Sequence, residues 1–345
     1  MLSSTSNSNE RAPRLSYLRL WLTAAGLALL LLGGWEGFWR ARGFAPMPND
    51  DAGWWARSRR AADHLGPDGV VLLGSSRMQL GLDTGAFASA TGIHPVQLAI
   101  SLNSGIPVLR DLADDPAFRG TVICEVSEAN VVTVDAEPVG SRADEWLREY
   151  HTQNVFDRFE WRMRGAVQTK FAFRLTDLSS QNLAGNLRFG RLPRRPYGRM
   201  LPDRSRQADY AQSDLPVLSA RNQAYIRDVL ASLPPITPAE FVARGQRLRE
   251  VAAKIEARGG RVIFVRFPTS GQILEWEVAR FPKSDYWDAL AAVDRLTVLH
   301  YADYASLKDF SCPDGTHLDY RDSARFTTAL VTELRKKDLL PAAWR

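Results

Sequence analysis

Apolar runs with little or no polar alternation recur along the chain, at 70–73 (VVLL), 94–100 (HPVQLAI), 121–126 (TVICEV), 261–267 (RVIFVRF) and 296–300 (LTVLH). Runs of this kind predict strands buried on both faces, as in a parallel sheet. Between them the period changes to that of a helix. The pattern predicts helices at 54–65 and 84–90, and one starting at 106–112 with Val108, Leu109 and Leu112 on one side. Thr237-Pro238-Ala239-Glu240 is a capping box with proline at the first helical position; Phe241, Leu248, Val251 and Ile255 follow at helical spacing until Gly259-Gly260. A last helix is predicted at 322–336, with Phe326, Leu330 and Leu334 on its buried face. Strand and helix in alternation, with connections long enough for crossovers, predict a parallel sheet covered on both faces.

Two stretches break the alternation. Residues 20–35 (LWLTAAGLALLLLGGW) are the most hydrophobic in the chain, and 15–18 extend them if Arg19 snorkels. A spanning helix needs about 20 apolar residues. Trp21, Trp35, Phe38 and Trp39 near the two ends fit interfacial aromatic belts. No A-x-A cleavage site follows, so the reading is an uncleaved anchor at 15–39 and not a signal peptide. It is preceded by a disordered Ser/Asn-rich cytoplasmic tail at 1–14 and followed by a Pro/Gly/Asp linker at 40–53. Arg11, Arg14 and Arg19 lean toward a cytoplasmic amino terminus. The expected location is therefore the inner (cytoplasmic) membrane, single-pass, with the main domain, 54–345, exported to the periplasmic or extracytoplasmic side.

The second break runs from about 135 to 214, where the strand signal stops and arginines and aromatics accumulate. It reads as a basic, mostly helical insertion, either a solvated face or a surface for anionic lipid headgroups or a polyanionic glycan. His151 within it has no partner at recognisable spacing and reads as structural. After the fourth strand, PTSGQILEWEVARFPKSDYW reads as a long loop that shapes a pocket. Tyr286 and Trp287 at its end read as a packing pair, with sugar stacking as the alternative.

Composition narrows the classes. At 345 residues, 45% hydrophobic and 24% charged, the chain can bury the core of one large domain or of one domain with an insertion. Cys124 and Cys312 are too few for a disulfide framework and lack metal-ligand spacing, so both read as small buried hydrophobes. The net charge of +5, without aromatic-basic nucleic-acid motifs, points to an anionic envelope surface or a membrane and not to nucleic acid. No metal or cofactor is expected.

The candidate chemistry begins where the first strand ends, in Gly74-Ser75-Ser76. Open α/β sheets place ligands beyond the carboxyl ends of their strands. A serine there is also an ordinary helix cap. The later strands end in similar small polar loops, 101–105 (SLNSG) and 127–130 (SEAN), which read as turn chemistry or as further walls of the same edge. Asp314 and His317 precede the last helix at a spacing that lets the carboxylate accept from Nδ1 and leaves Nε2 free to face a serine.

A serine just after the first strand, joined with D-x-x-H just before the last helix, resembles the SGNH/GDSL hydrolase superfamily, in its membrane-anchored envelope form. The resemblance covers about 69–336 without the insertion. It implies a flavodoxin-like three-layer α/β/α sandwich with a parallel sheet, plus the N-terminal transmembrane helix. It also implies Ser76 as nucleophile, His317 as general base and Asp314 as its orienting partner. Gly105 matches the family's oxyanion glycine; the family's G-x-N-D block is absent, with Asn130 as the nearest candidate for its asparagine and Asn103 as a rival. The implied activity is a serine esterase or acyltransferase acting on O-acyl groups of envelope polysaccharide or another acylated glycan, beside a membrane-bound O-acyltransferase partner. The alternatives are a non-catalytic assembly or carbohydrate-binding protein of the same fold, motivated by the missing G-x-N-D, and a lipid-directed esterase, motivated by closeness to the bilayer.

Overall fold

The computed structural model describes residues 17–135 and 140–341. The expected tail at 1–14 lies outside the described residues. In chain order the elements are α1 (Tyr17–Ala41), α2 (Ala52–Ala62), β1 (Val70–Leu73), α3 (Ser76–Gly81), α4 (Thr84–Thr91), β2 (Val96–Gln97), α5 (Ile106–Asp114), β3 (Thr121–Glu125) and α6 (Glu128–Val132). The middle supplies α7 (Arg142–Thr152), α8 (Val155–Gln168), α9 (Ser180–Leu187) and the short strands β4 (Gly198–Met200) and β5 (Arg206–Ala208). Then follow α10 (Leu215–Ser232), α11 (Pro238–Glu256), β6 (Arg261–Arg266), α12 (Gly271–Arg280), α13 (Trp287–Ala291), β7 (Val298–His300) and α14 (Tyr320–Lys336).

The chain divides into two compact units, a smaller one of the stretch up to Pro46 with Phe171–Arg195, and a larger one of Met47–Lys170 with the stretch from Pro196 on. In the smaller unit, α1 has 25 residues and is long and apolar enough to cross a membrane. Its leucines point outward, Leu30 at 74% exposure, and only Trp39 is buried.

In the larger unit five strands form one parallel sheet in the order β2-β1-β3-β6-β7. Alternate side chains go to opposite faces. Val71, Leu73, Val122, Cys124 and Phe264 meet Trp55 of α2, Leu109 of α5 and Leu248 of α11. Val70, Leu72, Ile123 and Val265 meet Phe87 of α4 and Phe326 and Leu330 of α14. Covering both faces is what requires the unbroken apolar runs. Both cysteines are buried, as read from the sequence.

Three expectations change. The strand expected at 94–100 pairs only over Val96–Gln97, although the amides of Leu98 and Ile100 still donate to Leu72 O and Gly74 O at 2.9 and 3.0 Å. It is an edge strand, and side chains occupy three of its carbonyls, of which those of Gln97 and Ala99 face away from β1. Arg204 donates to Gln97 O and Ala99 O at 2.9 and 3.0 Å, and Trp55 Nε1 to Leu98 O at 2.9 Å. Blocking an edge in this way disfavours pairing with another chain.

Arg204 brings the second change. It is fully buried at φ +71° in an antiparallel hairpin of β4 and β5, within a region read as strandless, and it pairs with Asp50 at 2.6 Å. Three-residue strands of sequence GRM and RQA carry no alternation to read. The insertion is otherwise mostly helical. Its 171–195 stretch belongs to the smaller unit, and the rest of what is described belongs to the larger.

The third change is α12, inside the stretch read as a loop. Its only buried residues are Ile273 and Glu277, so no apolar stripe marks it. Tyr286 and Trp287 do pack. Trp287 is buried, while Tyr286 donates to Ile236 O at 2.9 Å and sets its ring edge-on to Phe241 and Phe281.

Candidate active site

The turn after β1 is built around Gly74, whose φ of +142° favours glycine, and a Cβ there would sit 2.7 Å from Glu125 Oε2. The two serines divide the work. Ser75 caps α3: its Oγ accepts from Arg77 N at 3.2 Å, and its own N and Oγ both donate to Glu125 Oε2 at 2.9 Å. Ser76 is thereby the first helical residue. Its amide is one of the first-turn donors that a helix leaves without an internal acceptor.

Across from it, the loop before α14 is tied to the end of β6. Cys312 N donates to Ser270 Oγ at 2.9 Å, and Ser270 N donates to Gly315 O at 3.0 Å. Within this loop Asp314 Oδ1 accepts from the amides of Thr316 and His317 at 3.0 and 2.9 Å. Oδ2 accepts from His317 Nδ1 at 2.8 Å and from Tyr210 Oη at 2.7 Å. His317 Nε2 lies 2.9 Å from Ser76 Oγ, closing a Ser-His-Asp relay between residues 241 positions apart. Burial pushes the Asp314 carboxyl up, but the bonds from His317, Thr316 and Tyr210 outweigh it and hold it well below the usual carboxylate range. Asp314 is therefore ionised whenever His317 needs a counter-charge. Burial and the neighbouring Asp314 push the Tyr210 phenol up, so it stays protonated and donates to Asp314 Oδ2.

The strand order reverses between β1 and β3, and the loops leaving such a point diverge to open a crevice. A cavity of about 170 Å³ lies there, bounded by Ser76 and His317, by Asn103 and Ser104 after β2, and by Ser127 and Asn130 after β3. Its far wall is one face of α10, where Asn222, Tyr225, Ile226, Val229 and Leu230 recur at helical spacing. No family model and no curated protein matches this chain.

Of the oxyanion candidates, Asn130 lines the cavity. Its Oδ1 is taken by Ser127 N and Oγ, at 2.9 and 3.1 Å, leaving the amide nitrogen as a donor. Asn103 also borders the cavity, but both ends of its side chain hold loops, from Ala143 N at 3.2 Å and to Ser101 O at 3.1 Å. Gly105 packs behind the turn after β1, where a Cβ would lie 2.6 Å from Gly74 N; its neighbour Ser104 reaches the cavity. His151 is away from this centre and pairs with Asp111 at 2.5 Å. Among the described residues no cluster of His, Cys, Asp or Glu is placed to hold a metal ion.

Several supporting residues carried no readable signal. Glu125 ends β3 as a buried carboxylate under Gly74; a charge closing an apolar strand was the one available hint. Glu277 of α12 joins Arg77, the residue after Ser76, at 2.9 Å to Arg266 at 2.5 Å, and Arg266 continues to Glu128 at 3.0 Å. Burial pushes Glu277 up, and the two guanidiniums outweigh it and hold it well below the usual range. Through this chain of charges α3, β6, α12 and α6 are locked together under the cavity.

The same region gives the fold a pH dependence. Burial, together with Arg266 and Lys283, pushes the His300 imidazole down to about 3. Its Nδ1 accepts from Ala302 N at 3.1 Å, which only an unprotonated nitrogen can do. An unfolded histidine protonates near 6.5. Between about 6.5 and about 3 the unfolded chain therefore binds more protons, and stability falls as pH drops through that window. Asp314 adds loss of the same sign further down, below the unfolded aspartate value of about 3.9. Chemical denaturation from about pH 7 to about pH 4 should show a falling midpoint, and His300→Asn, which keeps an acceptor without the titration, should reduce that fall.

Proposed function

We propose that this chain is a membrane-anchored SGNH-type serine esterase or acyltransferase acting on O-acyl groups of cell-envelope polysaccharide. The observation that carries the reading is the Ser76–His317–Asp314 relay, at 2.9 and 2.8 Å, opening on a cavity at the switch point of a parallel sheet. Counting only the main sheet, its strands stand in the order 2-1-3-4-5, which supports the flavodoxin-like three-layer sandwich of that superfamily. Helix α1 supports single-pass anchoring. The arginines before it favour a cytoplasmic amino terminus, an inner-membrane location and an exported catalytic domain.

In the proposed reaction Ser76 Oγ attacks the ester carbonyl while His317 Nε2 takes its proton. The Ser76 amide and the Asn130 side-chain amide supply donors for the oxyanion, each typically worth about 3 to 4 kcal/mol in the transition state. Collapse passes the proton to the departing alcohol. Water or a sugar hydroxyl then attacks the acyl-enzyme, the first giving hydrolysis and the second transfer. In this reading the chain works beside a membrane-bound O-acyltransferase partner.

The apolar face of α10 favours a second reading, a lipid-directed esterase, because a hydrocarbon tail gains from burial against Ile226, Val229 and Leu230. The full chain in detergent, treated with a fluorophosphonate probe, is expected to carry the adduct on Ser76 and to release acid from simple acyl esters. A folded chain that takes no adduct there and turns over no ester is not a serine hydrolase. Faster turnover of octanoyl than of acetyl esters would favour the lipid reading over the glycan one.

A further inference from the structure

The smaller unit holds exposed side chains that the proposed chemistry does not use. Glu36, one turn after the apolar run of α1 begins to close, accepts from Ala172 N and Phe173 N at 2.9 and 3.0 Å. At the other end of the 171–195 segment Arg195 packs on Gly43, just past the helix, where a Cβ would meet Arg195 Cδ at 2.9 Å. The segment therefore begins and ends at the carboxyl end of α1. That end is aromatic: Trp35, Phe38 and Trp39 contact one another, and the Arg42 guanidinium sits 4.2 Å over the Phe38 ring. In a helix that crosses a bilayer, such a belt lies at the headgroup level.

The segment held there has the composition of an interfacial element. Phe171, Leu187, Phe189 and Leu192 are 40%, 59%, 72% and 42% exposed, and α9 buries none of its residues. Arg174, Arg188, Arg191, Arg194 and Arg195 stand against a single acid, Asp177. Exposed aromatic and leucine side chains between arginines bind a bilayer by burying the apolar tips among the lipids while the cations meet phosphates. A glycan would match the arginines but not the exposed Leu187 and Leu192.

We propose that residues 171–195 form a collar on the bilayer surface, with Leu187 and Phe189 inserted at the headgroup boundary and the arginines on the phosphates of anionic phospholipids. This rests on α1 crossing the membrane and is independent of the chemistry at Ser76. The test uses the full chain carrying Phe189→Cys, or Leu187→Cys as a second site, labelled in the folded state, in which Cys124 and Cys312 are buried. A parallel Leu27→Cys label reports on the anchor itself. In phosphatidylcholine vesicles containing brominated lipid, both the collar label and the anchor label should lose fluorescence. Adding phosphatidylglycerol should deepen the loss at the collar, and Arg188→Gln with Arg191→Gln should reverse that gain. Quenching at Leu27 without quenching at 187 or 189 overturns the collar and leaves the anchor standing. No quenching at Leu27 overturns both. A collar label that responds to soluble polyanionic glycan and not to brominated lipid assigns the surface to glycan instead.

Discussion

Ser76→Ala is expected to lower the turnover of simple acyl esters by about 10⁶-fold, the scale seen when a relay of this kind loses its nucleophile. Among the described cavity-lining residues, Ser76 is the hydroxyl bonded to His317 Nε2. The other serine of the pair, Ser75, is engaged with Glu125 through both its N and its Oγ, and it caps α3. Ser75→Ala therefore keeps the nucleophile and should cost far less, mainly through a looser turn. The pair of variants separates a catalytic serine from a capping one, because both serines belong to the same three-residue turn. Ester turnover by initial rates, with circular dichroism to confirm the fold, is the measurement. Equal rates for Ser76→Ala and the unaltered chain would remove Ser76 from the mechanism.

Asp314→Asn is expected to cost about 10⁴-fold with the fold retained. The reason lies in how the carboxylate is used. Oδ1 accepts from two backbone amides, so the asparagine oxygen will take that side. Its NH₂ group then faces His317 Nδ1 and Tyr210 Oη, both of which had been donors to Oδ2. The imidazole must answer with the tautomer protonated on Nε2. That proton points at Ser76 Oγ, 2.9 Å away, and the base can no longer accept the serine proton. The variant also loses the counter-charge for the imidazolium. A rate within a few-fold of the unaltered chain would mean that Asp314 only braces the loop.

Local chemistry made most of the framework legible. β1, β3 and β6 are unbroken apolar runs because both faces of their sheet are covered, and Thr237 with Glu240 marks the start of α11 by hydrogen bonds made within four residues. α12 escaped because its inward face carries Glu277, held by Arg77 and Arg266, where an apolar residue would have revealed a helix. The β4–β5 hairpin escaped because buried Arg204, not an alternating pattern, holds it to the sheet edge.

The candidate site divides along the same line. By itself the sequence determined that a serine stands at the end of the first strand and that an aspartate and a histidine stand three apart before the last helix, since both facts are short-range. Only the tertiary structure decided that Ser76 and His317 meet, that Asn130 and Asn103 both line the cavity while Asn103 is tied to Ser101 O and Ala143 N, and that Tyr210 braces Asp314 from 104 positions away. Contacts over such separations depend on how sheet and helices pack around the crevice, and no periodicity in the chain records them.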